Sequence, residues 1–128
     1  MIAKACECLS SATAVLSAGF PGAASSRAYY AAFHAACAAL ATRGMAFSSH
    51  RETLGAFDRH LVKSGLLPVE YAPLVRRLFQ NRQTADYDIE TSIDQQTAVE
   101  DIAAATAIVH ACRALVEAPH PADKRDPQ

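Results

Sequence analysis

The sequence predicts an all-α protein, an up-and-down antiparallel bundle of about five helices. Three observations predict it. Alanine dominates the chain and loses least on entering a helix; apolar residues recur at spacings of three and four; and each such stretch is bounded by glycine, proline or serine with only short connections between them. Nothing reads as a strand, and no long-period repeat is present.

The first helix covers residues 2 to 18, with Ile2, Cys6, Leu9, Thr13 and Leu16 as its stripe and Gly19 as its stop. After the Phe20-Pro21-Gly22 break, a second helix runs from about Ser25 to Arg43, with Ser25 or Ser26 as N-cap and Gly44 beyond its end. Phe33, Cys37 and Leu40 recur along it at helical spacing. Arg27, Tyr30 and His34 also share a face of that helix, an ordered polar row in an otherwise apolar segment.

Ser48 or Ser49 caps the third helix, and Glu52 is placed as the capping-box partner of Ser49. Leu54, Phe57, Leu61 and Val62 supply its buried side, Arg51, Arg59, His60 and Lys63 its basic outer face, and Ser64-Gly65 its stop. The fourth helix ends near Tyr87. It begins either at Pro68, which suits a first turn, or at Tyr71–Ala72 if Pro73 sets the start. Ile89 to Ile93 forms a connector. Asp94 then caps a fifth helix with the stripe Val99, Ile102, Thr106, Val109, Cys112 and Leu115 or Val116. These elements make one domain over residues 1–117, and the proline-broken polar tail 118–128 is expected to be disordered.

With 128 residues and 51% hydrophobic content the chain can build a core, though a thin one because so much of it is alanine. A formal net charge of −1 gives no overall pull toward nucleic acid or an acidic membrane. Without a span-length apolar run or a leader-like N-terminus, a cytoplasmic location and no membrane partner are expected. Cys6 and Cys8 are too close for a zinc pair, and Cys37 and Cys112 fall on core faces of different helices. All four read as reduced thiols, with no metal and no cofactor.

The fourth helix carries the main anomaly. Its stripe begins Leu74, Val75, Leu78, Phe79 and continues in register to Arg82 and Asp86, charges where core residues belong. A buried unpaired charge costs several kcal/mol, so Arg82 needs a partner, a cleft or another subunit. Either Arg82 and Asp86 form an internal ion pair, or Arg82 binds an anion or phosphate in a cleft. Arg27 is a further candidate partner for Asp86, which makes the polar row of the second helix the wall that these charges face.

The segments Arg27-Ala28-Tyr29-Tyr30-Ala31-Ala32-Phe33-His34-Ala35-Ala36, Ser49-His50-Arg51 and Leu78-Phe79-Gln80-Asn81-Arg82-Gln83-Thr84-Ala85-Asp86-Tyr87 together resemble the HEPN domain. More narrowly, they are similar to the small stand-alone group with an Arg-x-x-Ala-Asp-Tyr signature. The resemblance implies a helical bundle that dimerises, a place in prokaryotic toxin–antitoxin or defence systems, and a minimal nucleotidyltransferase as partner. Active members are metal-independent ribonucleases with an Arg, a polar residue and a His after four to six intervening positions. Such a His shuttles a proton at a ribose 2′-hydroxyl while the Arg holds the phosphate.

Counted from Arg82, those His positions hold Tyr87, Asp88 and Ile89. Gln83 is in place; the His is not. Two readings follow: a module that binds RNA, a nucleotide or a nucleotidyltransferase through a cleft of Arg27, Tyr30, Arg82, Asp86 and Tyr87, or a ribonuclease toxin using Arg82 with His34 or His50. A scaffold without ligand is a third. Tyr87 stands near the place of a tyrosine that is adenylylated in some HEPN toxins.

Overall fold

The computed structural model describes residues 1–87 and 93–118. Of the connector expected at Ile89 to Ile93 only Ile93 is described, and the expected tail lies outside the described residues from 119 onward. Helices α1 (Ile2–Ser17), α2 (Pro21–Ala41), α3 (His50–Ala56), α4 (Tyr71–Tyr87) and α5 (Gln95–Glu117) form the bundle, with no strand among the described residues. A π-helical turn, Phe57–Val62, continues α3.

Helix α2 lies at the centre. Buried alanines at 24, 28, 31, 32, 35, 36, 38 and 39 cover nearly half of its circumference, and α5, α1 and α4 all pack against it, while Arg27, Tyr30 and His34 lie on the less buried strip. Side chains this small let neighbouring axes approach closely. Bulk comes from a few residues: Tyr29 and Leu40 on α2, Phe57 and Leu61 on the π-turn, Leu78 on α4, and Ile108 and Val109 on α5.

The stops fall as expected. Gly19 adopts φ +95°, and the Phe20 amide donates back to the Val15 carbonyl at 2.9 Å; Gly44, at φ +75°, closes α2 in the same way. The start of α2 differs. Pro21 occupies its first turn, where a missing amide hydrogen costs nothing, so Ser25 and Ser26 lie inside the helix and neither caps it. On α4 the later of the two expected starts is found, at Tyr71, with Pro73 in the first turn. Ser49 caps α3 by accepting from the Glu52 amide at 3.0 Å, and Asp94 caps α5 by accepting from Thr97 at 2.8 Å.

Two stripes are rotated from their expected positions. Thr13 of α1 is exposed, its hydroxyl donating back to the Leu9 carbonyl, while Ala5 and Ala12 are the buried residues. On α5, Val99 is 44% exposed, and the buried line runs through Ala98, Asp101, Ala104, Ala105, Ile108, Val109 and Cys112. Close packing against α2 selects small side chains for the line of contact, and the larger ones straddle it. The third helix also departs from regularity: the Lys63 amide reaches the Asp58 carbonyl five residues back at 2.8 Å. One residue is thereby added to the turn, and Leu61 and Val62 both enter the core while Arg59 and His60 stay outside.

Candidate functional site

Arg82 projects from α4 onto the face of α2 that carries Tyr29 and Tyr30. Its Nη2 donates to the Tyr30 hydroxyl at 2.8 Å, and the guanidinium lies 5.5 Å and 5.3 Å from the centroids of the Tyr29 and Tyr30 rings. Nε stands 3.1 Å from Asp86 Oδ2, but it is buried and poorly aligned, so this contact is an ion pair rather than a hydrogen bond. Burial pulls the guanidinium pKa down, yet the Tyr30 hydrogen bond and the Asp86 carboxylate outweigh it and hold the charge firmly in place. The ion pair of Arg82 with Asp86 is therefore present, and the side chain keeps 18% exposure.

His50, the first residue of α3, is brought to the same cluster. Its Nδ1 shares a 2.6 Å hydrogen bond with the Tyr29 hydroxyl, and its ring stacks on Phe33 with centroids 4.0 Å apart. Burial first, and then the Arg82 charge, lower its pKa, so the ring is neutral at neutral pH. Tyr29 is completely buried, and burial drives its pKa upward, so its hydroxyl keeps its proton. That proton needs an acceptor, and Nδ1 is the one at hand, which leaves hydrogen on Nε2. In this arrangement His50 has no free lone pair with which to act as a base.

The other expected site residues divide. Tyr30 is in the cluster. His34 flanks it, its ring centroid 6.5 Å from that of Tyr30, with its pKa lowered by burial and then by Lys4, the N-terminus and His50. Tyr87 is 81% exposed at the end of α4. Arg27 does not stand beside Asp86. It lines a groove with Lys4, Glu7, Cys8 and Ser11 of α1, at the edge of the polar face that is turned toward that helix, about 60° around α2 from Tyr30.

A second polar centre went unread in the sequence. Asp101 of α5 is completely buried and accepts hydrogen bonds from Ser25 at 2.6 Å and from the Asn81 amide at 2.9 Å, with Arg77 at 3.4 Å. The signal was there in outline: Asp101 follows Ala98 by three and precedes Ala105 by four, and Arg77 and Asn81 are one turn apart on α4. Neighbouring residues Asn81 and Arg82 thus tie α4 to α5 and to α2 respectively. Tyr29 was also missed, because an aromatic residue in a core stripe gives no sign that its hydroxyl will meet a histidine. Cys112 is buried and pushed up to about 12, and all four cysteines are free thiols. No group of three or more metal-ligating side chains occurs among the described residues.

An alanine-packed antiparallel bundle, with an Arg-x-x-Ala-Asp-Tyr segment of its fourth helix locked against an aromatic second helix, defines a small helical protein of the HEPN type. The sequence matches the family model of the HEPN domain over residues 1–115, and the chain belongs to that family. It is 32% identical over 114 residues to a UPF0332 protein of Thermotoga maritima, covering 89% of this chain and 86% of the relative. It is 31% identical over 98 residues to a Methanocaldococcus jannaschii protein that bears the name "putative toxin", covering 77% of this chain and 67% of the relative. No helix among the described residues is long and apolar enough to cross a membrane.

Proposed function

We propose that this chain is a HEPN-family component of a prokaryotic toxin–antitoxin or defence system that acts by binding. Its ligand-facing group is Arg82, which meets RNA, a nucleotide or a nucleotidyltransferase partner in the setting of Tyr30 and Asp86. The toxin name of the Methanocaldococcus relative supports the system. The observation that carries the binding reading is the pair of locks around the site: Arg82 is held by Tyr30 and Asp86, and His50 spends its Nδ1 on Tyr29. An anchored cation with donors to spare suits recognition of an anionic group. A histidine without a free lone pair does not suit proton abstraction.

The chain acts as a homodimer in this reading. Tyr87, at the end of α4, and Val99, in the second turn of α5, are large apolar side chains left exposed, and a thin alanine core gains from a partner surface. The second reading, a metal-independent ribonuclease using Arg82 with His50, draws support from the way α3 delivers His50 to the rings around Arg82.

Incubation of the purified protein with total RNA in EDTA, beside an Arg82→Ala variant, separates the two. Intact RNA, retained by the wild type and released by the variant, is expected. RNA loss that disappears in the variant would establish the ribonuclease instead. Sedimentation at micromolar concentration is expected to return a dimer, and a monomer there would remove the dimer from the proposal.

A further inference from the structure

We infer that the polar row of α2 and the groove beside it form a track for a single-stranded RNA, with a phosphate subsite between Lys4 and Arg27 separate from Arg82. The inference rests on the binding reading of Arg82 and extends it to a second point on the same strand.

The observations run along α2. Arg27, Tyr30 and His34 succeed one another on one face, spanning about 10 Å of helix at 1.5 Å per residue. On one side of this row lies Arg82, bonded to the Tyr30 hydroxyl. On the other side, α1 and α2 enclose a groove of about 280 Å³ lined by Lys4, Glu7, Cys8, Ser11 and Arg27. Among the described residues neither Lys4 nor Arg27 has an ion-pair partner, whereas Lys63, Arg77, Arg82 and Arg113 each have one. Two cations from two helices therefore line one groove, with Glu7 as the carboxylate among its lining residues, and the Ser11 hydroxyl adds a donor. Burial raises the Cys8 pKa and Glu7 adds to that rise, while Lys4 and Arg27 pull it down, and Lys4 lowers the pKa of His34 as well, so the cations are felt both in the groove and along the row.

A chain of phosphates with bases between them matches this order of groups. The Lys4–Arg27 groove and Arg82 supply cations at separated points. The half-buried rings of Tyr30 and His34, which continue the row from Arg27, offer faces or edges against which bases pack. A free phosphate would use the groove and leave the rings idle. Glu7 is the opposing element, a carboxylate within the groove that weakens the strand's hold and keeps binding reversible.

The test is fluorescence anisotropy of a short labelled single-stranded RNA titrated with the full chain over a range of salt. The Lys4→Gln/Arg27→Gln double variant is expected to bind more weakly, with the slope of log K against log salt shallower by about 1.4, the loss of two single-strand phosphate contacts. Glu7→Gln is expected to bind about threefold more tightly, a gain that misfolding cannot produce. Arg59→Gln/Lys63→Gln, on the outer face of the π-turn, is expected to leave slope and affinity unchanged.

If wild type binds and Arg82→Gln weakens it while the Lys4/Arg27 variant keeps its slope, the groove subsite is overturned and the Arg82 reading stands. If the groove variant alone loses binding, the subsite stands and Arg82 is not the ligand-facing group. If the Arg59/Lys63 variant takes the loss, the strand lies on the π-turn face and the track is wrong. Failure of the wild type to bind the RNA would overturn the track and the RNA arm of the proposed function together.

Discussion

Arg82 and Asp101 both carry charge into the packed faces of the bundle, and the fold treats them differently. Arg82 keeps an opening to solvent and shares its charge among an aromatic pair, a hydroxyl and a carboxylate. Asp101 has no exposure at all and satisfies its oxygens with Ser25 and Asn81, while Arg77 faces it from a side chain that is 41% exposed overall, its Nε buried. Removing one partner of a buried polar set strands the others, so Asp101→Ala is expected to destabilise the protein by about 3 kcal/mol, the low end of the usual range because Arg77 can turn to water. Asp101→Asn preserves shape and is expected to lose less. Urea unfolding measures both, and an alanine variant within about 0.5 kcal/mol of wild type would mean that the network carries no stability. The Arg82 anomaly was legible because its stripe leads straight into it. The Asp101 network was not, since its four members come from three helices whose relative rotation no local pattern encodes.

At the level of elements, α3 with its π-turn is the least regular piece and the one that delivers His50. Its N-terminus is set by the Ser49 cap and its C-terminal end by Leu61 and Val62 in the core, and the extra residue of the π-turn lets both ends fit at once. Gly55 sits within the α-helical part, and nothing lies within 4 Å of where a Cβ would be. Gly55→Ala should therefore stabilise the protein by about 0.5–1 kcal/mol through loss of unfolded-state freedom, read as a higher denaturation midpoint. A lower midpoint would mean that this turn needs glycine for motion rather than for space. Caps and glycine stops were legible in the sequence because they act within a few residues of themselves. The Pro21 start was not: proline after phenylalanine and before glycine looks like a break unless the helix beyond it reaches back.

For the molecule as a whole, the helices that meet around Tyr29 make stability depend on pH. His34 and His50 both have pKa values below the ordinary 6.5, chiefly because burial penalises their charged forms. Above about pH 6.5 both rings are neutral in the folded and unfolded chains, and this contribution is complete. As pH falls below that, the unfolded chain takes up protons that the folded one resists, and stability declines until the lowered folded-state pKa values are passed. Thermal unfolding at about pH 7.5 and about pH 5.5 should show the drop, and His50→Gln should flatten it. An unchanged pH slope in that variant would assign the effect elsewhere.

Length, alanine content, helical spacing, caps and glycine stops already determined the class of fold, the number of helices and the strangeness of Arg82 and Asp86, because each depends on residues one or two turns apart. The resemblance carried by three short motifs pointed to the family that the whole-chain match then established. Only the tertiary structure decided which way each helix turns its faces. It took Arg27 from the side of Asp86 to the α1 groove, moved the α5 stripe onto Ala98 and Asp101, and set the Tyr29 hydroxyl against His50. The physical reason lies in alanine itself. So many small side chains make a helix certain and leave its rotation undetermined, until a few large or charged residues on neighbouring helices find the arrangement that satisfies them all.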